Sequence, residues 1–434
     1  MAHNTIGPVE MPVRRFDGVP RQAMLASLVL VAVGVIAFIV GALGDADRVW
    51  RAYLFNWLYF AGLAQGAVIF AVAVSLTRGI WSRPIRRIAT GFAAFIPVSY
   101  ILLFPLLLQA DRIFPWVGGE GLHGAQGAYL NVPFLSVRNI VLLGAMLVLS
   151  LYYVYAGLRP DIGALRDDAP PRLRELYDRL TGGWLGQEQE ETRAARRQAV
   201  LGPVLALMYA ISYSVVAFDF VMSLRPGWFS TLIGPYVFMA AFLGGLAATT
   251  LYTVIYRSKL QLQEVITGPR LHDLGKLLFG FSILWAYLFW AQFLVIWYGL
   301  LPGEQAYIIE RLEPPYLGIA LTFFVLLFVA PFALLLGVAP KRSPKILGTV
   351  ACMSLVGLWL ERYVLIYPAY YEGGPLLLGV PEIGIALGFA GLLIAATVFF
   401  ASRFPMVQLW EPYGSLELEI SGEEPPGTTA VTGE

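Results

Sequence analysis

The candidate functional residues of this sequence are acids inside apolar segments, and the first of them is Asp219. It lies within the stretch 200–231, VLGPVLALMYAISYSVVAFDFVMSLRPGWFST, which is long and apolar enough to cross a bilayer. A carboxylate at membrane depth costs several kcal/mol unless it is neutral, paired or wetted. Helical periodicity places Ser212, Asp219 and Ser223 on one stripe, which must face protein or water. The stretch predicts a proton relay; the alternative is a structural acid tied to an arginine on a neighbouring helix.

Two further acids lie in apolar segments, and one has an arginine beside it. Glu361 lies at a depth similar to that of Asp219, and Arg362 follows it directly. Because successive helical residues point about 100° apart, we expect Arg362 to reach a carboxylate on another helix, with Asp219 as the obvious candidate. Glu361 and Arg362 therefore join the relay candidates. Glu382 is instead expected to be an interfacial acid that the start of its helix satisfies.

Polar side chains also gather near the other membrane surface, where they could hold a chain of water molecules. These further relay candidates are Thr249, Tyr252, His272, Asp273 and Lys276. Hydroxyl and amide groups can equally hold helices together, each contributing less than about 1 kcal/mol. Only a chain of such groups that leads to a buried acid would indicate a proton route.

One apolar segment, 274–300, is rich in aromatic residues. Trp285, Tyr287 and Trp290 are its candidates for contacting a quinone ring. Flat rings also suit ordinary helix packing and the aromatic belts of membrane proteins, which are the more common cases. The pattern alone leaves both interpretations open.

The composition excludes several classes of protein. Of 434 residues, 58% are hydrophobic and 14% charged, which indicates a polytopic membrane protein. The net charge of +1 gives no reason to expect a nucleic-acid partner. A single cysteine, Cys352, excludes a disulfide framework, an iron–sulfur cluster and a c-type haem attachment. The histidines His3, His123 and His272 all lie outside mid-membrane positions, so we expect no haem b, no metal and no other cofactor on this chain.

The apolar segments predict an all-α membrane domain of ten helices over 22–403, preceded by a polar tail, 1–21. Each segment is close to the roughly 20 residues that a crossing requires. The predicted spans are Gln22–Leu43, Ala52–Leu76, Ile88–Gln109, Asn139–Leu158, Val200–Leu224, Phe229–Tyr256, Leu274–Leu300, Tyr316–Val338, Ile346–Ile366 and Val380–Ser402. Helices 2–5, about 52–224, and helices 6–9, about 229–366, each end with an acid in the outer third, which suggests two related four-helix units.

Loop charges predict the orientation of these helices. Most of the 30 lysines and arginines lie on the side of the N-terminus. The opposite side has only Arg48, Arg51, Arg112, Arg138, Arg225 and Arg311. The positive-inside rule therefore places both termini in the cytoplasm. On that side the loop 159–199 is expected to form one or two amphipathic helices, and the tail 404–434 is acidic.

Two motifs resemble a known family. Residues 219–224, DFVMSL, are followed by Pro226 and by 228–231, WFST, and 273–279 read DLGKLLF. These residues, with Trp285-Ala286-Tyr287, resemble the second large membrane subunit of bacterial alternative complex III, the ActF type. The clear likeness covers Ser212 to Gly299. Phe220, Arg225 and Gly227 stand where that family commonly has Trp, Asp and His.

The resemblance implies an NrfD-like fold, similar to the polysulfide reductase anchor, with two four-helix bundles and two flanking helices. It implies a subunit of a quinol:cytochrome c (or cupredoxin) oxidoreductase in the bacterial inner membrane, with a proton-translocating or structural role. The implied partners are a multihaem cytochrome c subunit, an iron–sulfur subunit and a sister NrfD-like subunit. Haem c and iron–sulfur clusters would belong to those partners, and menaquinol or ubiquinol would diffuse in the lipid. The alternatives are an autonomous proton-coupled transporter and a purely structural scaffold of the same complex.

Overall fold

The computed structural model describes residues 11–118, 122, 124–371 and 373–410. Within these residues it has ten helices that are long and apolar enough to cross a membrane, and it has no β-strand. In chain order they are α1 Arg21–Gly44, α2 Ala46–Leu76, α3 Ile80–Leu108, α4 Val132–Ala164, α5 Gln187–Phe220, α6 Ile233–Lys259, α7 Gly268–Gly299, α8 Leu317–Leu334, α9 Pro344–Ile366 and α10 Val380–Ala401. The predicted ten-helix, all-α fold is confirmed.

Several helices extend beyond the apolar runs that predicted them. Helix α4 extends into the start of the predicted loop 159–199, and α5 begins before its end. One short helix, Pro171–Leu180, lies between them. That short helix buries Leu173 and Tyr177. The Tyr177 hydroxyl donates to the carbonyl of Arg403 at 2.7 Å and accepts from Arg15 at 3.0 Å. The helix is therefore packed against both end segments of the chain.

The two end segments meet on one face of the protein. Phe16 N donates to the carbonyl of Ala401 at 3.0 Å, and Met406 N donates to that of Arg14 at 2.8 Å. We call this side the N-terminal face and the other side the opposite face. The cytoplasmic position of the N-terminal face stays a prediction. His3, His123 and residues 411–434 of the predicted acidic tail lie outside the described residues.

Close helix crossings hold the core together. Helix α2 is buried along most of its length and crosses α6 where Gly66 meets Ala241 and Gly245 meets Ala67. Helix α1 packs against α10, with Gly34 facing Gly388. Without a hydrophobic drive between helices in lipid, such small residues allow close van der Waals contact.

Two helices are irregular, and a proline accounts for each case. Helix α3 has a 3₁₀ segment at Gly91–Phe95 just before Pro97, and α8 has a π-helical turn at Val325–Val329 just before Pro331. Proline lacks the N–H and clashes with the carbonyl four residues earlier, which distorts the preceding turn. The two helices do not hold equivalent places in two four-helix repeats, so they do not form the paired broken helices expected of a transporter.

The α2–α6 crossing predicts a sharp difference between two adjacent glycines. A Cβ at Gly245 would collide with the backbone of Gly66 and Ala67, whereas one at Gly244 would make an ordinary 3.4 Å contact with Leu358. We expect Gly245→Ala to lower the free energy of unfolding by about 1–3 kcal/mol through overpacking. Gly244→Ala is the matched control and should be tolerated. Melting temperatures of the two purified variants test this, and equal values would contradict the crossing.

Candidate functional site

Asp219 is bound on both carboxylate oxygens by α4. Arg138 Nε donates to Asp219 Oδ2 at 2.7 Å, Arg138 Nη2 donates to Oδ1 at 2.5 Å, and Asn139 Nδ2 donates to Oδ2 at 2.5 Å. The acid is fully buried. The prediction that Arg362 is its partner is therefore wrong. The contacts are those expected of a structural acid held by a neighbouring helix, and a relay role for Asp219 stays a prediction.

From the sequence, Arg138 is expected to be only a loop charge, because it precedes the apolar run that begins at Asn139. Helix α4 begins earlier, at Val132, and Asn131 caps it by accepting a hydrogen bond from Phe134 N at 2.9 Å. An asparagine cap followed by proline was the signal that could have shown this start. Arg138 thus belongs to α4, and its guanidinium lies 3.7 Å above the ring of Tyr129. Burial, together with the Asp219 charge, raises the pKa of Tyr129 to about 12.

Neither serine of the predicted stripe is shown bonded to the Asp219 carboxylate. Ser223 Oγ donates to the carbonyl of Asp219 at 2.5 Å and so closes the end of α5. Ser212 is fully buried, and its Oγ has no hydrogen-bond partner among the described residues.

Glu361 is also deeply buried, and its arginine partner is its own neighbour in sequence. Arg362 Nη1 donates to Glu361 Oε1 at 3.3 Å and lies 3.1 Å from Oε2 without hydrogen-bond geometry. Arg362 Nη2 donates to the carbonyl of Val237 on α6 at 3.1 Å. The prediction that Arg362 reaches an acid on another helix is wrong, because two long side chains meet despite their different directions. Tyr236 of α6 lies close to Glu361, and both residues line the cavity described next.

Beside Glu361 lies a cavity of about 70 Å³. It is lined by α6–α9 and by a connecting helix, Pro302–Leu312, between α7 and α8. Its lining is mostly apolar, but Glu361 Oε2, Arg311 Nε and the Tyr307 hydroxyl are buried and have no hydrogen-bond partner among the residues described. A water molecule needs about 10–15 Å³ and two to four polar partners, and an engineered cavity that binds benzene has about 150 Å³. The cavity therefore suits a few water molecules better than an aromatic ring.

The connecting helix supplies a buried cation to this cavity. Arg311 Nη1 donates to the carbonyl of Tyr307 at 2.6 Å and Nη2 to that of Leu365 at 3.1 Å, and its guanidinium lies 3.3 Å above the Tyr307 ring. Tyr307 in turn stacks on Trp228 at 3.6 Å. Burial lowers the pKa of Arg311 and raises that of Tyr307. Arginine still remains charged, since its usual pKa is far above neutrality.

The two predicted four-helix units contain similar parts in different arrangements. In each, a tyrosine and an arginine come from the region before or at the start of the third helix, and an acid comes from the fourth. In the first unit Arg138 closes on Asp219. In the second unit Arg311 is held by carbonyl groups, and the cavity lies beside both Arg311 and Glu361. Only the second arrangement leaves an acid next to open space.

The aromatic candidates on α7 divide between packing and the outer surface. Trp285 is fully buried and stacks on Phe289 at 5.6 Å. Tyr287 and Trp290 are 63% and 57% exposed, so they face the surroundings of the helix and do not line the cavity. The α7 residues that do line it are Phe289, Gln292 and Phe293. Quinone contact by the three predicted residues stays a prediction.

The relay candidates near the N-terminal face are spread over several local contacts. Thr249 is fully buried, and Tyr252 accepts a 3.3 Å hydrogen bond from Thr397. Asp273 and Lys276 form an ion pair of 2.7 Å one turn apart at the start of α7, where His272 is partly exposed. A continuous route from these residues to Glu361 stays a prediction.

Glu382 has the helix-start contact expected of it and an ion pair as well. Its Oε2 accepts from Gly379 N at 2.8 Å, as predicted for an acid in the first turn of a helix. Arg48 of α2 donates to both oxygens at 2.8 Å, and Tyr367 donates to Oε1 at 2.7 Å. The acid therefore also ties α10 to α2.

Comparison with known proteins assigns the fold to a family. The profile of the family described as polysulphide reductase, NrfD, matches residues 43–372. The chain belongs to the NrfD family. The matched region contains α2–α9 and leaves α1 and α10 outside, so the NrfD core corresponds to the eight helices that carry Asp219 and Glu361. No curated protein matches the chain significantly.

The Arg138–Asp219 pair predicts a stability effect that a solvent-linked relay acid would not show. Asp219→Asn leaves the Arg138 charge buried without its counter-ion, so we expect the free energy of unfolding to fall by about 3–5 kcal/mol. The double variant Arg138→Gln/Asp219→Asn removes both charges and should recover much of that loss. Thermal melting of the purified variants measures both effects. An Asp219→Asn variant as stable as the parent protein would argue against a structural pair.

Proposed function

We propose that this NrfD-family chain is a membrane subunit of a redox complex in which Glu361 handles protons. More specifically, we propose a quinol:cytochrome c (or cupredoxin) oxidoreductase of the alternative complex III type, with this chain in the ActF position. The family membership supports the broader statement, and the motif resemblance over Ser212–Gly299 supports the narrower one.

The proposal depends on one observation: Glu361 is 1% exposed and lies beside a cavity that can hold water. Burial disfavours an ionised carboxyl, and a neighbouring guanidinium favours it. These opposing effects act together on Glu361 through its surroundings and through Arg362. A small movement of Arg362 would change the balance, so the carboxyl could take up a proton in one state of the complex and release it in another.

In this proposal the chain holds no redox cofactor, and electron transfer takes place in partner subunits. A multihaem cytochrome c subunit and an iron–sulfur subunit would carry the electrons, and a sister NrfD-like subunit would bind menaquinol or ubiquinol. The excess of positive charge on the N-terminal face supports a cytoplasmic position for that face in the bacterial inner membrane. Glu361 would then lie in the half of the membrane away from the cytoplasm.

A purely structural role is the second candidate, and the Arg138–Asp219 pair favours it. That pair and the Arg48–Glu382 pair join helices by buried ion pairs and leave no free carboxylate. A scaffold would need no cavity at Glu361. An autonomous transporter has less support, since the irregular turns of α3 and α8 do not form an equivalent pair.

The proton role predicts a selective defect in Glu361→Gln. This change keeps the size and polarity of the side chain but removes its ability to ionise. We expect the complex to assemble and transfer electrons, with some loss of stability because Arg362 loses its counter-ion and keeps its contact with the Val237 carbonyl. The protons released per electron should fall to those that quinol itself supplies. Proton release from membrane vesicles, measured with a pH-sensitive dye, tests this. The control is Glu313→Gln, which neutralises an exposed acid near the same surface. Equal numbers of protons released per electron in the two variants would favour the scaffold.

Filling the cavity should slow the same process without removing an acid. Ala320 is 4% exposed and lines the cavity, whereas the adjacent Leu321 is 58% exposed. We expect Ala320→Leu to displace water and reduce the rate of proton release, with a stability cost of about 1–3 kcal/mol. Leu321→Phe adds volume on the outer face and should leave the rate unchanged. Normal proton release in a folded Ala320→Leu complex would contradict a role for the cavity water.

A further inference from the structure

We propose that Glu310 is the residue through which protons pass between the Glu361 cavity and the opposite face of the membrane. This inference rests on the proposed proton role of Glu361 and adds the group that connects it to solvent. Glu310 lies on the connecting helix Pro302–Leu312, which covers the cavity.

The two oxygens of Glu310 lie in different surroundings. Oε1 accepts a hydrogen bond from Arg225 Nη2 at 2.7 Å, where both side chains are about one-third exposed. Oε2 is buried, has no hydrogen-bond partner in the described part of the chain, and lies 4.0 Å from Arg311 Nη1. The Glu310 carboxylate thus has one oxygen near the protein surface and the other near Arg311, which lines the cavity.

Helical spacing brings the members of this route together. Glu310 and Arg311 follow Tyr307 by three and four residues. This spacing places both of them next to Tyr307 on one helix face. Tyr307 and Arg311 line the cavity with Glu361, and Glu310 Oε2 lies 4.0 Å from Arg311 Nη1. The order from interior to surface is therefore Glu361, the cavity with Tyr307 and Arg311, and then Glu310.

The proton balance of this route is simple. Protonated Glu361 releases its proton to water in the cavity and becomes a carboxylate beside Arg362. A proton from that water passes to the Glu310 carboxylate, which loses its charge and weakens its ion pair with Arg225. Release of the proton to solvent restores the ion pair. Arg311 stays cationic throughout and disfavours an excess proton resting in the cavity, so that the proton is stored only on a carboxylate.

A structural clamp is the competing explanation for the Arg225–Glu310 ion pair. It would hold the connecting helix to the segment after α5, and Arg225 also donates to the carbonyl of Pro368 at 3.4 Å. The two explanations differ in which partner matters. A clamp loses its function when either side chain is neutralised, whereas a proton route needs the Glu310 carboxylate and tolerates loss of the Arg225 charge.

Matched variants of the whole complex separate these explanations. In time-resolved proton release after a pulse of quinol oxidation, we expect Glu310→Gln to slow the release by at least about tenfold, while Arg225→Gln keeps fast release. Glu310→Asp should restore part of the rate, because it retains a carboxylate. If Glu310→Gln does not assemble, the double variant Arg225→Gln/Glu310→Gln, in which neither charge is left unpaired, takes its place with the same expected slowing.

Each outcome has one meaning. Equal slowing in Glu310→Gln and Arg225→Gln, or normal release in Glu310→Gln, would overturn the role of Glu310. If Glu361→Gln is still defective in that case, the proposed function stands without this inference. Normal release in Glu361→Gln would overturn the proposed function and the Glu310 route together.

Discussion

The cost of a charge inside hydrocarbon governs this structure. Three acids whose side chains are fully buried, Asp161, Asp219 and Glu382, each meet an arginine from another helix. Their partners are Arg87, Arg138 and Arg48. A buried carboxylate without such a partner would cost several kcal/mol, so each pair fixes how two helices lie against each other. The ion pairs thus act as specific links within a core that is otherwise apolar.

Glu361 meets the same constraint in a different way. Its arginine follows it in sequence, so the pair joins no two helices by itself, and the arginine is instead anchored to a carbonyl of α6. The nearby Arg311 is held mainly by carbonyl groups and an aromatic ring, and the acid beside it is Glu310, at 4.0 Å. With both arginines held in this way, space remains beside Glu361. The same kinds of residues that lock the first unit therefore leave a cavity in the second.

The sequence allowed several features to be predicted correctly because they depend on local composition. Apolar length predicted ten helices, and the end segments meet on one face as an even number of spans requires. The buried positions of Asp219 and Glu361 also followed from their place in apolar runs. Helix starts were less accurate, because a capped helix such as α4 can begin in polar sequence before its apolar run.

The set of helices and the acids that lie inside them followed from the sequence, since hydrophobicity and charge are properties of each segment alone. Which arginine meets which acid depends instead on how the helices pack against one another. Arg138 reaches Asp219 and Arg48 reaches Glu382 because folding brings distant helices together. The cavity beside Glu361 arises in the same way, from the packing of four helices and one connecting helix. No helical period records such contacts, because they depend on how separate helices cross.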